Sequence, residues 1–519
     1  MKSPVTWPRL RRLRQAVQAL TFALYVYLLF AALQRRVAFP LADLFFRLDP
    51  LAALAAMLAS RAWIPRLALA LITLGLTVAF GRVWCGWLCP LGTLLEWIRF
   101  PRRETGFFPT TRFLSLDWRR VKYFLLILIL AAALLGNLSL LILDPLALFT
   151  RTMTTVGLPA LNHAVTAVEQ ALYPVPFLRP AIDLAERLLR GRVLPVEQPA
   201  FAQNALLALL FAGVLALNAL ADRFWCRYLC PLGALLGLIS KISLLRPVVR
   251  PACNRCGQCA DVCRVDAIDT QRGYDIVPAE CTVCLDCLAA CPESAVVSPA
   301  KQGIGFRFHG RPDPVRETDP TRRQVLAGLA VTAVGVPILR TGVRARHPHP
   351  ELLRPPGVED EGEFLARCLR CSQCMKVCPT SGLQPVLLEA GLEGLWTPRL
   401  VPRLGHCEYG CNACGQICPS GAIPALELSR KREAVIGLAA IDRDRCLPWA
   451  HGTPCIVCEE MCPVPQKAIR LEEVTVADDR GEPAVVQRPY VLADLCIGCG
   501  ICERRCPVEG ESAIRVFRG

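Results

Sequence analysis

At 519 residues the chain is long enough for several domains, and 53% hydrophobic content with a mean hydropathy of +0.37 sets it apart from an ordinary soluble protein. Its net charge of +15 invites a nucleic-acid reading, but the basic residues lie scattered beside apolar spans with no aromatic-basic module among them. We therefore expect membrane lipid as a partner and no nucleic acid. Only His163 precedes residue 250 and no cysteine pair is followed by His, which excludes a bis-His membrane cytochrome b and a c-type haem.

In chain order, apolar runs at Val17 to Leu33, Leu67 to Trp87, Tyr123 to Leu143 and Ala205 to Ala221 predict four membrane spans within a helical domain, residues 1–245. Arg82, near the end of the second run, is expected at the membrane interface. Arg and Lys number five in the first fourteen residues, eight from Arg82 to Lys122 and five from Arg223 to Arg250. The intervening segments hold fewer for their length, so the amino terminus is expected in the cytoplasm. The domain is internally duplicated: WCGWLCPLGTLLEWI at Trp84 to Ile98 matches WCRYLCPLGALLGLI at Trp225 to Ile239, and LDPLA follows both the first and the third span. Asp49 and Asp144 suit helix N-caps, each with Pro at the first helical position. Duplication would bring Cys85, Cys89, Cys226 and Cys230 together at the inner face, as one tetrathiolate site for zinc or a further cluster, or as redox-active thiols. The alternative is four small residues packing their turns against Pro90 and Pro231.

Residues 246–297 carry CNRCGQCADVC and CTVCLDCLAACP, two runs spaced Cx2Cx2Cx3C. This is the α+β bacterial ferredoxin rhythm, in which three thiolates hold one 4Fe-4S cluster and the fourth crosses to its neighbour. Cys253, Cys256, Cys259 and Cys291 are assigned to one cluster, and Cys281, Cys284, Cys287 and Cys263 to the other. A zinc site would use paired CxxC knuckles, and closely spaced triplets serve disulfides poorly.

A Pro-, Gly- and Arg-rich linker from Ser298 to Pro320 leads into TRRQVLAGLAVTAVGVPIL, within residues 298–345. Arg322 and Arg323 before a short apolar run suggest an internal twin-arginine export signal, or else a fifth span. Either places residues 346–519 on the periplasmic side of a bacterial inner membrane; a cytoplasmic hairpin or a soluble linker is the remaining alternative, since about fifteen residues is short for a span. That domain holds four more quartets, beginning at Cys368, Cys407, Cys446 and Cys496, so six clusters account for 24 of the 28 cysteines. Export of a folded domain also protects sixteen cysteines from oxidation to disulfides.

These residues resemble a fusion of two families, the NapH-type membrane quinol dehydrogenase component and the NapG- and MauM-type ferredoxins of periplasmic electron-transfer systems. The NapH-like part has the spans, both CxxxCP motifs and the Cys253 to Cys291 module, with Arg264 replacing the Pro usual after a fourth cysteine. The NapG-like part has TRRQVLAGL and the last four quartets. The resemblance implies quinol oxidation and delivery of electrons from the quinone pool to a periplasmic reductase or c-type cytochrome. Asp49 and Asp144 then become candidate proton acceptors, and the CxxxCP cysteines the candidate first electron acceptor. A reductive maturation factor, working on a metal or thiol through those same four cysteines, is the second reading. Family geometry also implies a nested exchange of fourth cysteines: Cys368, Cys371, Cys374 with Cys506; Cys496, Cys499, Cys502 with Cys378; Cys407, Cys411, Cys414 with Cys462; Cys446, Cys455, Cys458 with Cys418.

Overall fold

The computed structural model describes residues 7–33, 39–98, 116–190, 194–195, 198–271, 273–297, 321–340, 349–477 and 483–518. The linker expected from Ser298 to Pro320 lies outside them. Helices dominate, and strands among the described residues form five short antiparallel pairs.

The chain divides into two compact units that cut across the expected boundaries. One comprises Met1–Leu29, Leu44–Phe149 and Leu206–Val336; the other comprises Phe30–Asp43, Thr150–Ala205 and Pro337–Gly519. Residues 30–43 and 150–205, expected within the helical domain, thus group with the last four quartets. The cause is local packing. Gln384 accepts from the Ala202 amide at 3.1 Å, Phe201 enters the core with Leu383 and Leu400, and the Arg151 guanidinium lies 4.0 Å from the centre of the Trp396 ring.

In the first unit, helices Trp7–Leu33, Pro50–Ser60, Ala70–Phe80, Leu116–Leu134, Asn204–Ala216 and Pro231–Ser240 surround an aromatic core in which Phe149 meets Tyr25 at 5.2 Å and Phe211 at 6.0 Å. Only the first of the expected spans, at Leu10–Leu33, is long and apolar enough to qualify alone among the described residues. The second is shorter because Gly81, at φ 77°, ends its helix before the first CxxxCP turn. The third shares Leu116–Leu134 with Arg119, Arg120 and Lys122, and the fourth is the 13-residue helix Asn204–Ala216. Residues 246–297 sit in this same unit, with strands Val248–Val249 and Val296–Val297 paired across their ends.

Helix Arg322–Arg340 also belongs largely to this unit. It begins with a capping box: Thr321 Oγ1 accepts from the Gln324 amide, and the Gln324 side chain accepts from the Thr321 amide. Gly328 lies against Phe124 and Ile127 of Leu116–Leu134.

Candidate metal centres

The loops that carry the cysteines are shaped by left-handed residues at alternate positions. Arg255 and Gly257, Val283 and Leu285, Arg370 and Ser372, and Gly498 and Gly500 all have positive φ. Two of these pairs are non-glycine throughout, so the strain is held by the surrounding structure. The turns direct amides at sulfur: Cys253 Sγ accepts from the Arg255 N–H at 3.4 Å, Cys263 Sγ from Ala267 at 3.2 Å and Cys291 Sγ from Ala295 at 3.2 Å. Such bonds suit sulfurs that carry negative charge.

In the first module Cys253, Cys256, Cys259 and Cys291 line one small cavity. Burial, then the charges of Cys284, Cys281 and Cys263, push the Cys287 thiol well up, which places those four sulfurs in a second group. Cys259 is the next neighbour of Cys287, so the two groups adjoin.

The last four quartets gather differently from the nested expectation. Cys418 joins Cys368, Cys371 and Cys374; Cys378 joins Cys407, Cys411 and Cys414. Cys506 joins Cys446, Cys455 and Cys458, and Cys462 joins the group of Cys496, Cys499 and Cys502. Fourth cysteines are therefore exchanged between successive quartets, because each short helix following a triplet ends against the next loop in sequence. Helix Gln373–Lys376 packs on Ala413–Gln416, and Val457–Glu460 on Ile501–Arg505. The groups also follow one another in space. Cys374 neighbours Cys414, the Cys407 amide donates to Cys499 O at 2.8 Å, and Cys502 neighbours Cys458. The order is thus the Cys368, Cys407, Cys496 and Cys446 quartets. Ala32 and Ala42 pack with Val377, Ala413 and Ile417 at the Cys368 end.

The four CxxxCP cysteines are buried and lie within mutual electrostatic reach. Each pair spans a wide π-helical turn, Trp84–Leu88 or Trp225–Leu229, closed by a bond from the second cysteine's amide to the tryptophan carbonyl at 2.9 and 2.8 Å. Cys89 and Cys230 then cap the helices Pro90–Trp97 and Pro231–Ser240, their sulfurs accepting from Gly92 and Gly233 at 3.4 and 3.2 Å. No group of three or more His, Cys, Asp or Glu among the described residues is arranged around a single metal ion. A cube asks for wider spacing, since each thiolate binds a different iron. No disulfide joins the described cysteines. The set of buried, clustered thiols with amide donors and fixed cations fits an anionic iron-sulfur cluster.

The first CxxxCP turn lies directly on the ferredoxin module. Gly86 is pressed against the Thr282 carbonyl, which leaves no space for a side chain, and the Trp87 indole donates to Val283 O at 3.0 Å. Both residues lie between Cys281 and Cys284. Arg82, expected at the membrane interface, is instead 1% exposed and donates to Ala279 O at 2.8 Å. Arg264, a mere departure from the family pattern in sequence, donates to Glu96 at 2.7 Å and ties the module to helix Pro90–Trp97. Nothing in residue type alone signalled either arginine, although the repeat Arg-x-Trp-Cys at Arg82 and Arg223 was available.

Asp49 and Asp144 are 0% and 1% exposed. One oxygen of each caps its helix, accepting from Leu51 and Ala52 or from Leu146 and Ala147. The second oxygen of each is buried with no hydrogen-bond partner among the described residues, and the two carboxyl groups act on one another electrostatically. Burial raises both, Asp49 to about 6, and the Asp49 charge raises Asp144 further. Phe45, one turn before Asp49, meets Trp84 at 6.4 Å, beside Cys85.

A 4Fe-4S binding domain family, Fer4_5, matches residues 62–107 and 203–249, each containing one CxxxCP pair, and the Fer4 4Fe-4S binding domain matches 489–510. The methylamine utilization ferredoxin-type protein MauM of Methylorubrum extorquens is 38% identical over 196 residues, 37% of this chain and 81% of that protein. The ferredoxin-type protein NapG of Escherichia coli is 36% identical over 193 residues, 37% of this chain and 79% of NapG. NapF of Escherichia coli is 27% identical over 161 residues, 31% of this chain and 84% of NapF. No solved structure matches.

Proposed function

This chain belongs to the family of MauM- and NapG-type ferredoxin proteins, and on that footing we propose that it is a membrane-bound relay that oxidises quinol and passes electrons to a periplasmic reductase or cytochrome. The observation that carries the reading is the adjacency of sites in the first unit: a buried four-cysteine site with a ferredoxin loop against it, and Trp84 of that site meeting Phe45, four residues before the buried Asp49. Membrane embedding is supported by exposed apolar side chains on its helices, such as Leu20 at 70%, Leu71 at 61% and Leu209 at 71%. The expected four-span bundle is part of this proposal, with the shorter apolar helices completing it.

When bound, iron-sulfur clusters supply one-electron transfer. The six ferredoxin quartets would hold six, with fourth ligands as gathered here, and Cys85, Cys89, Cys226 and Cys230 a seventh. Quinol gives up two protons as well as two electrons, so a base must stand beside it. Asp49 and Asp144, both buried, would serve as that base, one carboxylate for each proton released. In the second unit, the Cys368 quartet packs with residues 30–43 and serves as entry, while the Cys446 quartet, at the other end of the series, serves as exit.

Iron and sulfide analysis of anaerobically purified protein tests the count. Seven cubes predict about 28 iron atoms per chain and six about 24. Cys226→Ala should remove about four. Stoichiometric zinc with little iron would overturn the reading. Asp49→Asn or Asp144→Asn should slow quinol-driven cluster reduction by about 10²-fold or more, while chemical reduction by dithionite stays complete. Reduction of copper or thiols without quinol turnover would favour the maturation reading.

A further inference from the structure

Arg82 and Arg223 stand at equivalent places in the two halves, each three residues before the first cysteine of its CxxxCP motif. Both are buried, at 1% and 2% exposure, and each reaches into the other half. Arg223 donates to Gly92 O at 3.1 Å and to Cys85 O at 3.4 Å. Arg82 Nη2 comes within 2.8 Å of the point where a Gly233 Cβ would sit, and Cys230 Sγ lies 3.4 Å from that same point. Gly92 and Gly233 are themselves equivalent, so the crossing follows the internal two-fold relation. A Cβ at Gly233 would displace the guanidinium, which accounts for the glycine.

Each arginine also faces the ferredoxin module. Arg82 donates to Ala279 O, next to the Cys281 loop, and its charge acts on Cys85, Cys230 and Cys281. The charge of Arg223 acts on Cys85, Cys226 and Cys284. Nε and Nη2 of Arg82 and Nε of Arg223 have no hydrogen-bond partner among the described residues. Buried N–H groups of a cation are costly to leave unmet, so anionic acceptors are called for at this position.

The carboxylates nearby do not neutralise these cations. Glu96 accepts from Arg223 at 2.6 Å but also from Arg14 and Arg264, and Asp286 is shared by Arg11, Arg14 and Arg264. Glu280, 3.8 Å from Arg82, is bonded to Lys122 at 2.5 Å. The positive charge left over lies between two groups of four sulfurs.

We propose that Arg82 and Arg223 are fixed counter-cations shared by the CxxxCP centre and the adjacent Cys281 quartet, raising the reduction potentials of both. The inference rests on the reading that the CxxxCP cysteines hold a cluster. Two anionic centres side by side repel the electron each accepts, and a cation between them offsets that cost without moving. Because the charge of each guanidinium acts on cysteines of both groups, one substitution must shift two centres together.

The test is potentiometric titration of the purified full chain, followed by electron paramagnetic resonance with iron analysis of each variant. Arg82→Gln and Arg223→Gln should retain iron and lower the reduced-to-oxidised ratio of two centres about tenfold at fixed ambient potential, which is 59 mV for a one-electron couple. The other centres stay put. Arg223→Lys should restore most of the shift, and Glu96→Gln, which removes an opposing charge, should move the same two centres upward. Unmoved midpoints with iron intact overturn the proposal. Should the glutamine variants lose iron, Glu96→Gln decides, an absent upward shift overturning it. Loss of no iron in Cys226→Ala would instead sink the underlying cluster reading, whatever the arginine variants show.

Discussion

Glu96 accepts hydrogen bonds from Arg14, Gln18, Arg223 and Arg264 while almost wholly buried. Burial pushes its carboxyl up, but the guanidiniums of Arg223, Arg14 and Arg264 outweigh it and hold the group at about 2. A folded value below the ordinary 4.5 stabilises the structure above about pH 4.5, and that contribution is lost as pH falls towards 2. Its full size is on the order of 3 kcal/mol. Protection from hydrogen exchange at residues 253–297, corrected for the intrinsic pH dependence of amide exchange, should therefore be steady from neutral pH down to about 5 and fall below 4.5, with Glu96→Gln lacking that acid step. An identical acid profile in both proteins would remove Glu96 from the account. Cys418 gives a second residue-scale outcome. Cys418→Ser should alter the spectral signal that Cys371→Ser alters and spare the one that Cys458→Ser alters; the nested pairing requires the reverse.

The elements show which features of the chain are readable before folding. Asp-Pro caps at Asp49 and Asp144 and the triplets of Cys253, Cys281, Cys368 and Cys496 are local, and the structure forms caps and loops where the residue types predict them. The equivalence of the two CxxxCP turns was also legible, since it is written as a repeat. Partnership of the fourth cysteines was not, because it depends on which short helix packs on which loop. Nor was the burial of Arg82, which is decided by a carbonyl 197 positions away. Helix Arg322–Arg340 offers a test at this scale. A side chain at Gly328 would meet Ile127 Cγ2 at 2.9 Å, and that neighbour is a β-branched residue on a packed helix. Gly328→Leu should thus separate the helices at a cost of about 1–3 kcal/mol, read as a lower unfolding temperature in detergent, whereas Gly335→Leu, with nothing within 4 Å, should leave it unchanged.

For the whole molecule the open quantity is which side of the membrane each group of quartets occupies. On the proposed membrane placement, arginine and lysine counts would put the Cys253 to Cys291 module in the cytoplasm, and a single crossing by helix Arg322–Arg340 would carry the later quartets across. Arg322 and Arg323 are exposed at the start of that helix, so neither is committed to the protein core. Leu326, Val331, Val334 and Ile338 also present exposed apolar surface, as a lipid-facing helix requires. The packing of Gly328 on Leu116–Leu134 argues that the segment stays as a built helix after export, so the product should remain one chain of 57.0 kDa. Reporters fused after Cys291 and after Gly519 should read cytoplasm and periplasm; the same side for both would refute the crossing. Changing Arg322 and Arg323 to Lys separates the two routes. Lysine preserves the charge that orients an ordinary span, but lacks the planar fork of the guanidinium. Under twin-arginine export the double variant should leave the carboxy-terminal reporter in the cytoplasm with its clusters intact. Under simple insertion its orientation should stay as in the parent. Cytoplasmic retention together with loss of quinol-driven delivery to periplasmic acceptors would join the topology to the proposed function in one experiment.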